Sequence, residues 1–434
     1  MTHVLSSVAP YDRTEPASGI RDRLAFGGFV LLLILLPLEQ WRFPMNLKPA
    51  DVALVSLTAY SFWRAGQRGQ RLDFPLIIPI WVILISSLIA TLVGLGQSDS
   101  AIAIAQEVYI FAWFLALANV LKTFSFADTD RLMKMWGVVA CLESVTTVMG
   151  MARIGPSMFY RAGYEPVTGD LVRATGTYDN SNAVAVYLSV SLFILLATSW
   201  PIWLRSVLGL WLLVGILATG SNGALLTTIG GLAVLGAGFL LLKNRRDAAL
   251  TIALTGIGVG VSAAVVVALG PALLHFLGPG FETNSPLLYN TLGRLSHSVN
   301  RRLGIISWGW ATYKQHPLGT GPNSFGSGLH NDYVAFLFER GPFGLIGWLW
   351  LIGSTIAQSL RSASRLAENS RGWRILLMGA GILGCAVNAA SHEISHMRQV
   401  WLLMVFLFAL SYGGLSQQAS SHSSGWTGPV EKRR

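Results

Sequence analysis

Residues 75–96 read PLIIPIWVILISSLIATLVGLG, an unbroken run without a charged side chain. About 20 residues of helix cross a hydrocarbon core of about 30 Å, so this run has the length and composition of a membrane span. Eleven more apolar stretches lie near 24–38, 50–63, 101–121, 133–151, 182–200, 202–219, 221–242, 248–269, 342–360, 373–391 and 400–415. The first two are short, and those at 202–219 and 221–242 are almost contiguous. The chain of 434 residues is 52% hydrophobic and 12% charged, with a mean hydropathy of +0.53. A soluble domain carries about 25% charged residues, so that class is excluded. Ten-residue stretches of alternating polarity are missing, which argues against a β-barrel. The expected fold is an all-α polytopic membrane protein of about twelve transmembrane helices.

Cys141 and Cys385 both fall inside apolar stretches, which leaves no disulfide framework and no Cys-x-x-Cys metal site. The first apolar stretch follows Arg13, Arg21 and Arg23 without a small-residue cleavage pattern, and reads as an uncleaved first helix. The organisation expected is one transmembrane domain over 1–415 and a Ser-, Gln- and Gly-rich disordered cytoplasmic tail over 416–434.

The net charge of +10 suits a nucleic-acid binder until its distribution is mapped. With the N-terminus inside, 20 of the 31 Lys and Arg residues fall on one side of a twelve-helix arrangement. Positive residues gather in cytoplasmic loops, so both termini are expected in the cytoplasm and no nucleic-acid partner is needed. Eight of the eleven positive residues on the other side sit in two loops, 152–181 and 270–341, the latter between the ninth and tenth helices. Such a concentration points to an anionic ligand.

The longer loop contains Arg294, Arg301-Arg302-Leu303 and His316-Pro317-Leu318-Gly319-Thr320-Gly321. It continues with His330-Asn331-Asp332-Tyr333 and Glu339-Arg340-Gly341-Pro342-Phe343-Gly344. The shorter loop ends in Arg173-Ala174-Thr175-Gly176-Thr177-Tyr178-Asp179-Asn180-Ser181-Asn182-Ala183. An Arg ahead of His-Pro-Leu-Gly-x-Gly, then His-Asn-x-Tyr, then Glu-x-Gly-x-x-Gly at a helix mouth, resembles the signature of the bacterial O-antigen ligase and O-antigen polymerase superfamily. The upstream element resembles the Arg-x-x-Gly-Thr-x-x-Asn-x-Asn-x-x-Ala element of the same proteins. The chain departs from the pattern at Ser221-Asn222-Gly223-Ala224, where many members have Ser-Arg-Gly-Ala.

The resemblance implies a GT-C-like glycosyltransferase in the bacterial inner membrane with a periplasmic active site. It implies transfer of a glycan from a polyprenyl (undecaprenyl) diphosphate carrier to an acceptor sugar hydroxyl. The acceptor expected is lipid A-core oligosaccharide, as in O-antigen ligation; the alternative is a second lipid-linked repeat unit, as in a polymerase. Arginine presents planar, permanently protonated donors to phosphate oxygens, so Arg173 and Arg302 are the expected diphosphate clamp. Imidazole titrates near neutrality, so His330 is the expected base or acceptor-positioning residue. Arg294, Arg301, Asn180, Asn182, Asn331 and Glu339 are expected substrate-binding residues, and Arg301 and Arg302 are interchangeable at this level. Direct attack inverts the anomeric centre, and with two arginines available neither a metal nor a cofactor is required. His316 reads as structural, Gly319 and Gly321 as turn residues, and Glu107 and Glu143 as intramembrane carboxylates facing a cavity or an unidentified donor.

Three rival readings remain. His392-Glu393-Ile394-Ser395-His396 matches the zinc protease pattern His-Glu-x-x-His, which works only when a helix puts both histidines on one face. A lipid-linked-glycan transporter would carry its charges at the midplane, whereas these lie in loops. Asp128-Thr129-Asp130 suggests a metal-dependent nucleotide-sugar transferase, but reads better as a polar turn flanking a helix.

Overall fold

A computed structural model describes residues 20–41, 47–68, 72–94, 98–165, 169–241, 294–326, 329–366 and 370–423. Eight helices come first: α1 (Ile20–Leu35), α2 (Pro49–Arg68), α3 (Ile77–Val93), α4 (Ser98–Leu121), α5 (Phe126–Met151), α6 (Ser181–Leu196), α7 (Ile202–Ala218) and α8 (Asn222–Leu241). Four more follow: α9 (Arg294–Gln315), α10 (Asp332–Arg365), α11 (Ser370–Ala389) and α12 (Arg398–Ser423). Eleven of the twelve apolar stretches therefore coincide with helices, and the one at 248–269 lies outside the described residues. Among the described residues, Asp99–Leu121, Phe126–Met151, Asp332–Arg365 and Arg371–Ala389 are long and apolar enough to cross a membrane. Five shorter apolar helices accompany them: Arg23–Leu35, Ile77–Val93, Ser181–Leu196, Ile202–Ala218 and Arg398–Tyr412.

Three expectations are corrected. The stretch 270–341 is not simply a loop, because it contains α9 and the first turns of α10. Arg294, Arg301, Arg302 and Lys314 make α9 too polar to register as a span. The loop 152–181 is not wholly irregular: it holds a two-stranded antiparallel hairpin, β1 (Tyr160–Glu165) and β2 (Gly169–Ala174), with Arg161 opposite Arg173 in register, a small addition to an otherwise all-α fold. Lastly, α12 runs to Ser423, beyond Ser416 where a disordered tail is expected. Gln417, Gln418 and Ala419 are good helix formers and extend it.

α11 lies at the centre and packs against α8, α10, α6 and α12. Its hydrophobic stretch is 83% buried, against 39% for those of α4 and α10. Small residues permit this close approach, since a Cβ at Gly384 would lie 2.2 Å from the Thr227 carbonyl oxygen of α8.

The connectors separate into two ends. At one end Gln40 reaches the carbonyls of Met158, Gly176 and Tyr178, Thr177 reaches Pro37, and Asn331 reaches Ala390. These join the α1–α2, α5–α6, α9–α10 and α11–α12 connectors, the set assigned to the outer side by alternation. At the other end Lys122 pairs with Asp73 and Arg64 bonds Thr123.

There Asp130 is the centre of a buried network. Its carboxylate accepts from the Ser199 backbone N–H (2.8 Å), Ser199 Oγ (2.6 Å) and Arg374 Nη1 (2.7 Å), and pairs with Lys134 (2.9 Å). Removing one partner of a buried pair leaves an uncompensated charge, at a cost of about 3–5 kcal/mol. Asp130→Ala is expected to lower unfolding stability in detergent by that order. Asp128→Ala, whose partner Arg131 is 69% exposed, should cost no more than about 1 kcal/mol. Equal losses in the two variants would refute the assignment.

Candidate functional site

The long connector is shaped by a break in α10. Gly341 has φ 72° and ψ −176°, outside helical geometry, and Pro342 follows it. The Phe338 carbonyl would ordinarily accept from residue 342, which as proline has no N–H. The Thr320 backbone N–H takes that place (3.1 Å), and the Gly321 N–H bonds the Glu339 carbonyl (2.9 Å). Gly319 and Gly321, with φ of 103° and 102°, let the chain lie along the break, as expected of turn residues. Leu329, Ala335 and Phe338 then pack on Ile305, Ile306 and Tyr313 of α9.

Beyond the turn, the His-Asn-Asp-Tyr motif clasps the chain around the α11–α12 connector with four consecutive residues. The His330 backbone N–H donates to Glu393 Oε1 (3.0 Å), and its ring stacks on that of His392 (centroids 5.9 Å apart, planes at 16°). Asn331 caps α10 by accepting from the Val334 N–H and donates to the Ala390 carbonyl (2.9 Å). Asp332 accepts from the N–H groups of Ile394 and Ser395 and from Ser395 Oγ, at 2.8–3.0 Å. Tyr333 donates to the Ala386 carbonyl of α11 (2.6 Å). His330 itself has φ 48°, a left-handed conformation that the clasp holds in place.

The same geometry corrects the protease reading. His392 to His396 lie in the irregular connector between Ala389 and Arg398, so no helix aligns the two histidines, and Glu393 is engaged with His330. Likewise Asp128 belongs to the first turn of α5 and Asp130 to the turn after it, and Ser125 caps the helix by accepting from the Asp128 N–H.

The upstream element lies at the same end. Arg173 at the end of β2 donates through Nη2 to Asn182 Oδ1 (2.8 Å), and Asn180 caps α6 by accepting from the Asn182 N–H (2.8 Å). Thr177 donates its backbone N–H to Glu143 (2.8 Å), whose other oxygen lies 2.6 Å from the Thr177 hydroxyl, which identifies the donor for that intramembrane carboxylate. Gln399 of α12 donates to the Ala183 carbonyl, so this element and the His330 element flank one connector. A buried ionic group fastens the arrangement: Lys48 pairs with Asp179 (3.1 Å), and Arg398 bonds both oxygens of Asp51 (2.9 and 2.8 Å).

Between α3, α4, α10 and the connector lies a cavity of about 280 Å³. Glu107, Glu339, Arg340, Glu393, His396 and Trp401 contribute to its wall. Arg340 donates to Glu107 (2.7 Å) and to Glu339 (3.0 Å), and Ser87 completes Glu107 (2.8 Å). Glu107 therefore both faces a cavity and has a donor. Glu339 is held by Arg340, with a long bond (3.4 Å) from the Phe325 N–H. Burial, and then the nearby Glu339, push the Glu393 carboxyl up to about 7 against the His330 N–H and Arg340. His396 is exposed toward the cavity, and the protein packed around it, with Arg398 and Arg340 near, pushes its imidazole down.

Arg294, Arg301 and Arg302 all lie on α9, and their side chains are outside the described residues. Ile305, Ile306, Gly309 and Tyr313 form the stripe of α9 that faces Leu329 and Phe338. Reasoning from sequence missed Glu393 and His392 as partners of His330. The signal was present in the His-Glu pair, but it pointed to a metal rather than to another histidine.

Residues 207–349 match the family model described as O-Antigen ligase. With that match, the resemblance to the O-antigen ligase and polymerase superfamily read from the loop motifs stands. The matched region contains Arg294, Arg301, Arg302, His330, Asn331 and Glu339, whereas Arg173, Asn180 and Asn182 lie upstream of it. No curated protein matches the chain.

Proposed function

We propose that this protein transfers a glycan from a polyprenyl-diphosphate carrier to an acceptor sugar hydroxyl at the periplasmic face of the inner membrane, in the manner of an O-antigen ligase. The observation that carries the reading is the match at 207–349 over a segment whose His330 is clasped beside a cavity. The catalytic unit is the transmembrane domain over 1–415, with both termini cytoplasmic. In this reading His330 takes the proton of the acceptor hydroxyl as that oxygen attacks the anomeric carbon from the side opposite the diphosphate. The C–O bond to the carrier breaks, the configuration inverts, and the diphosphate leaves with its charge neutralised by Arg173 and Arg302. Arg294 and Arg301 on α9 extend the positive lining along the carrier headgroup. Asn182 aims Arg173, Asn180 fixes the helix start beside it, and Asn331 and Glu339 hold the acceptor end. The chemistry requires neither a metal nor a cofactor.

Loss of a preorganised charge donor costs about 10²–10³ in turnover. Arg173→Ala and Arg302→Ala are each expected to lower kcat by that order. Asn182→Ala, which frees Arg173 without deleting it, should cost less. Wild-type turnover in both arginine variants would remove the clamp. Acceptor identity is read in the same assay: glycosylated lipid A-core identifies a ligase, and lengthened lipid-linked chains without that product identify a polymerase.

A further inference from the structure

Apart from Glu339, the walls of the cavity beside His330 are left unused by the transfer step. At about 280 Å³ the cavity falls just below the range of about 300–1,000 Å³ typical of pockets for drug-sized ligands, so its occupant is a small unit. One side is apolar and close-packed: Phe336 is held between Trp348 (centroids 4.9 Å apart, planes at 8°) and the Arg340 guanidinium (4.4 Å), and Trp401 packs on Phe111 and Phe114, so these rings close the wall rather than offer a free face. The Trp348 indole N–H is buried with no acceptor among the described residues. The polar side differs from a salt-bridge interior because part of it is uncommitted. Glu393 spends one oxygen on the His330 amide, and among the described residues its other oxygen accepts nothing. Gln106, Asn323 and His396 also line the space, supplying amide and imidazole groups that both donate and accept. A small enclosed space with several convergent two-way hydrogen-bonding groups over an apolar wall is the chemistry that recognises the hydroxyls of a single pyranose ring.

The charge is equally informative. Arg340, the cavity's arginine, already donates to Glu107 on one side and to Glu339 on the other. Those two carboxylates already outnumber it, so among the described residues the wall offers an anion no free cation and an excess of carboxylates.

We infer that this cavity is a subsite for one uncharged sugar unit, the one that carries the acceptor hydroxyl, and that its carboxylate-rich wall excludes sugars bearing phosphate or carboxylate. Only the assignment to the acceptor rests on the proposed transfer reaction; the binding of a neutral sugar does not. The position agrees with that assignment, because Glu393 belongs both to the cavity wall and to the clasp around His330.

The test uses the full chain in detergent with saturation-transfer NMR. The probes are the methyl glycosides of glucose, galactose and N-acetylglucosamine, with the matched methyl glucuronide and galacturonide. Saturable binding of at least one neutral glycoside is expected, with its uronide at least about tenfold weaker at neutral pH, as like charges at short range dictate. Glu393→Gln should narrow that gap. The wild-type comparison decides the matter even if this variant does not fold. Equal binding of a neutral glycoside and its uronide, or no saturable binding of any neutral glycoside, overturns the inference. Run beside the transfer assay, the two failures separate: transfer without neutral-sugar binding removes the subsite alone, and neutral-sugar binding without transfer to any acceptor removes the enzymatic reading alone.

Discussion

His330→Asn is expected to lower glycan transfer by about 10²–10⁴-fold, the range over which a positioned general base contributes. Asparagine is the informative replacement because His330 sits at φ 48°. Asn adopts left-handed backbone more readily than most residues, so the clasp with Glu393 and Ala390 should survive while the proton acceptor is lost. His330→Ala removes the same base and adds about 1–2 kcal/mol of backbone strain, so it should lose activity to a similar degree and stability besides. His392→Ala deletes only the ring stacked at 5.9 Å and is expected to weaken transfer less than either. Turnover of His330→Asn within a few-fold of wild type, with the protein folded, would show that His330 is not the base. That result would leave the clasp a purely structural feature.

The second large effect concerns stability. Gly341→Ala should destabilise the protein by about 3 kcal/mol or more, because two costs coincide. With φ 72° and ψ −176° the backbone lies in a region essentially confined to glycine, at about 1–3 kcal/mol for any other residue. A Cβ there would also lie 2.6 Å from the Leu318 carbonyl oxygen and 2.7 Å from its carbon, backbone atoms that cannot step aside. Relief would require the His316–Gly321 turn to lift from the break, giving up the Thr320 and Gly321 hydrogen bonds. Gly353→Ala in the same helix is the control, since a Cβ there meets nothing within 4 Å. Alanine in a helix interior is favoured over glycine by about 1 kcal/mol, so that variant should be neutral or more stable. Thermal unfolding in detergent distinguishes the two, and similar midpoints would mean that the break does not depend on glycine.

Much of the scaffold was legible because each apolar run carries its own evidence. Residues 75–96 needed no partner to declare an apolar helix, and they form α3 over Ile77–Val93, shorter than the stretch read as a span. Several connectors that alternation puts on one side do meet, through Gln40, Thr177 and Asn331 at one end and through Lys122 and Arg64 at the other. α9 escaped notice because its arginines dilute its apolar face, and the hairpin because its strands are short and mixed in character. Gly341-Pro342 was read as the start of a helix, which is half of its role; that the chain is also helical before it depends on the Asn331 cap and on Thr320 and Gly321 covering the exposed carbonyls. At the site, ordered motifs supplied the candidates but no partners. Glu393 lies 63 positions from His330, and Glu107 lies 233 from Arg340, separations at which no local period operates. An intramembrane carboxylate announces that it has a donor, and only packing says which one.

The most direct test of the central proposal is transfer by the purified wild-type protein in detergent with EDTA. The substrates are a polyprenyl-diphosphate glycan of defined anomeric configuration and, in separate reactions, lipid A-core and a second lipid-linked unit. The account predicts product on lipid A-core with inverted configuration and undiminished yield in the chelator. Absence of transfer to both acceptors, with each substrate shown to be competent, or a product of retained configuration, would contradict it.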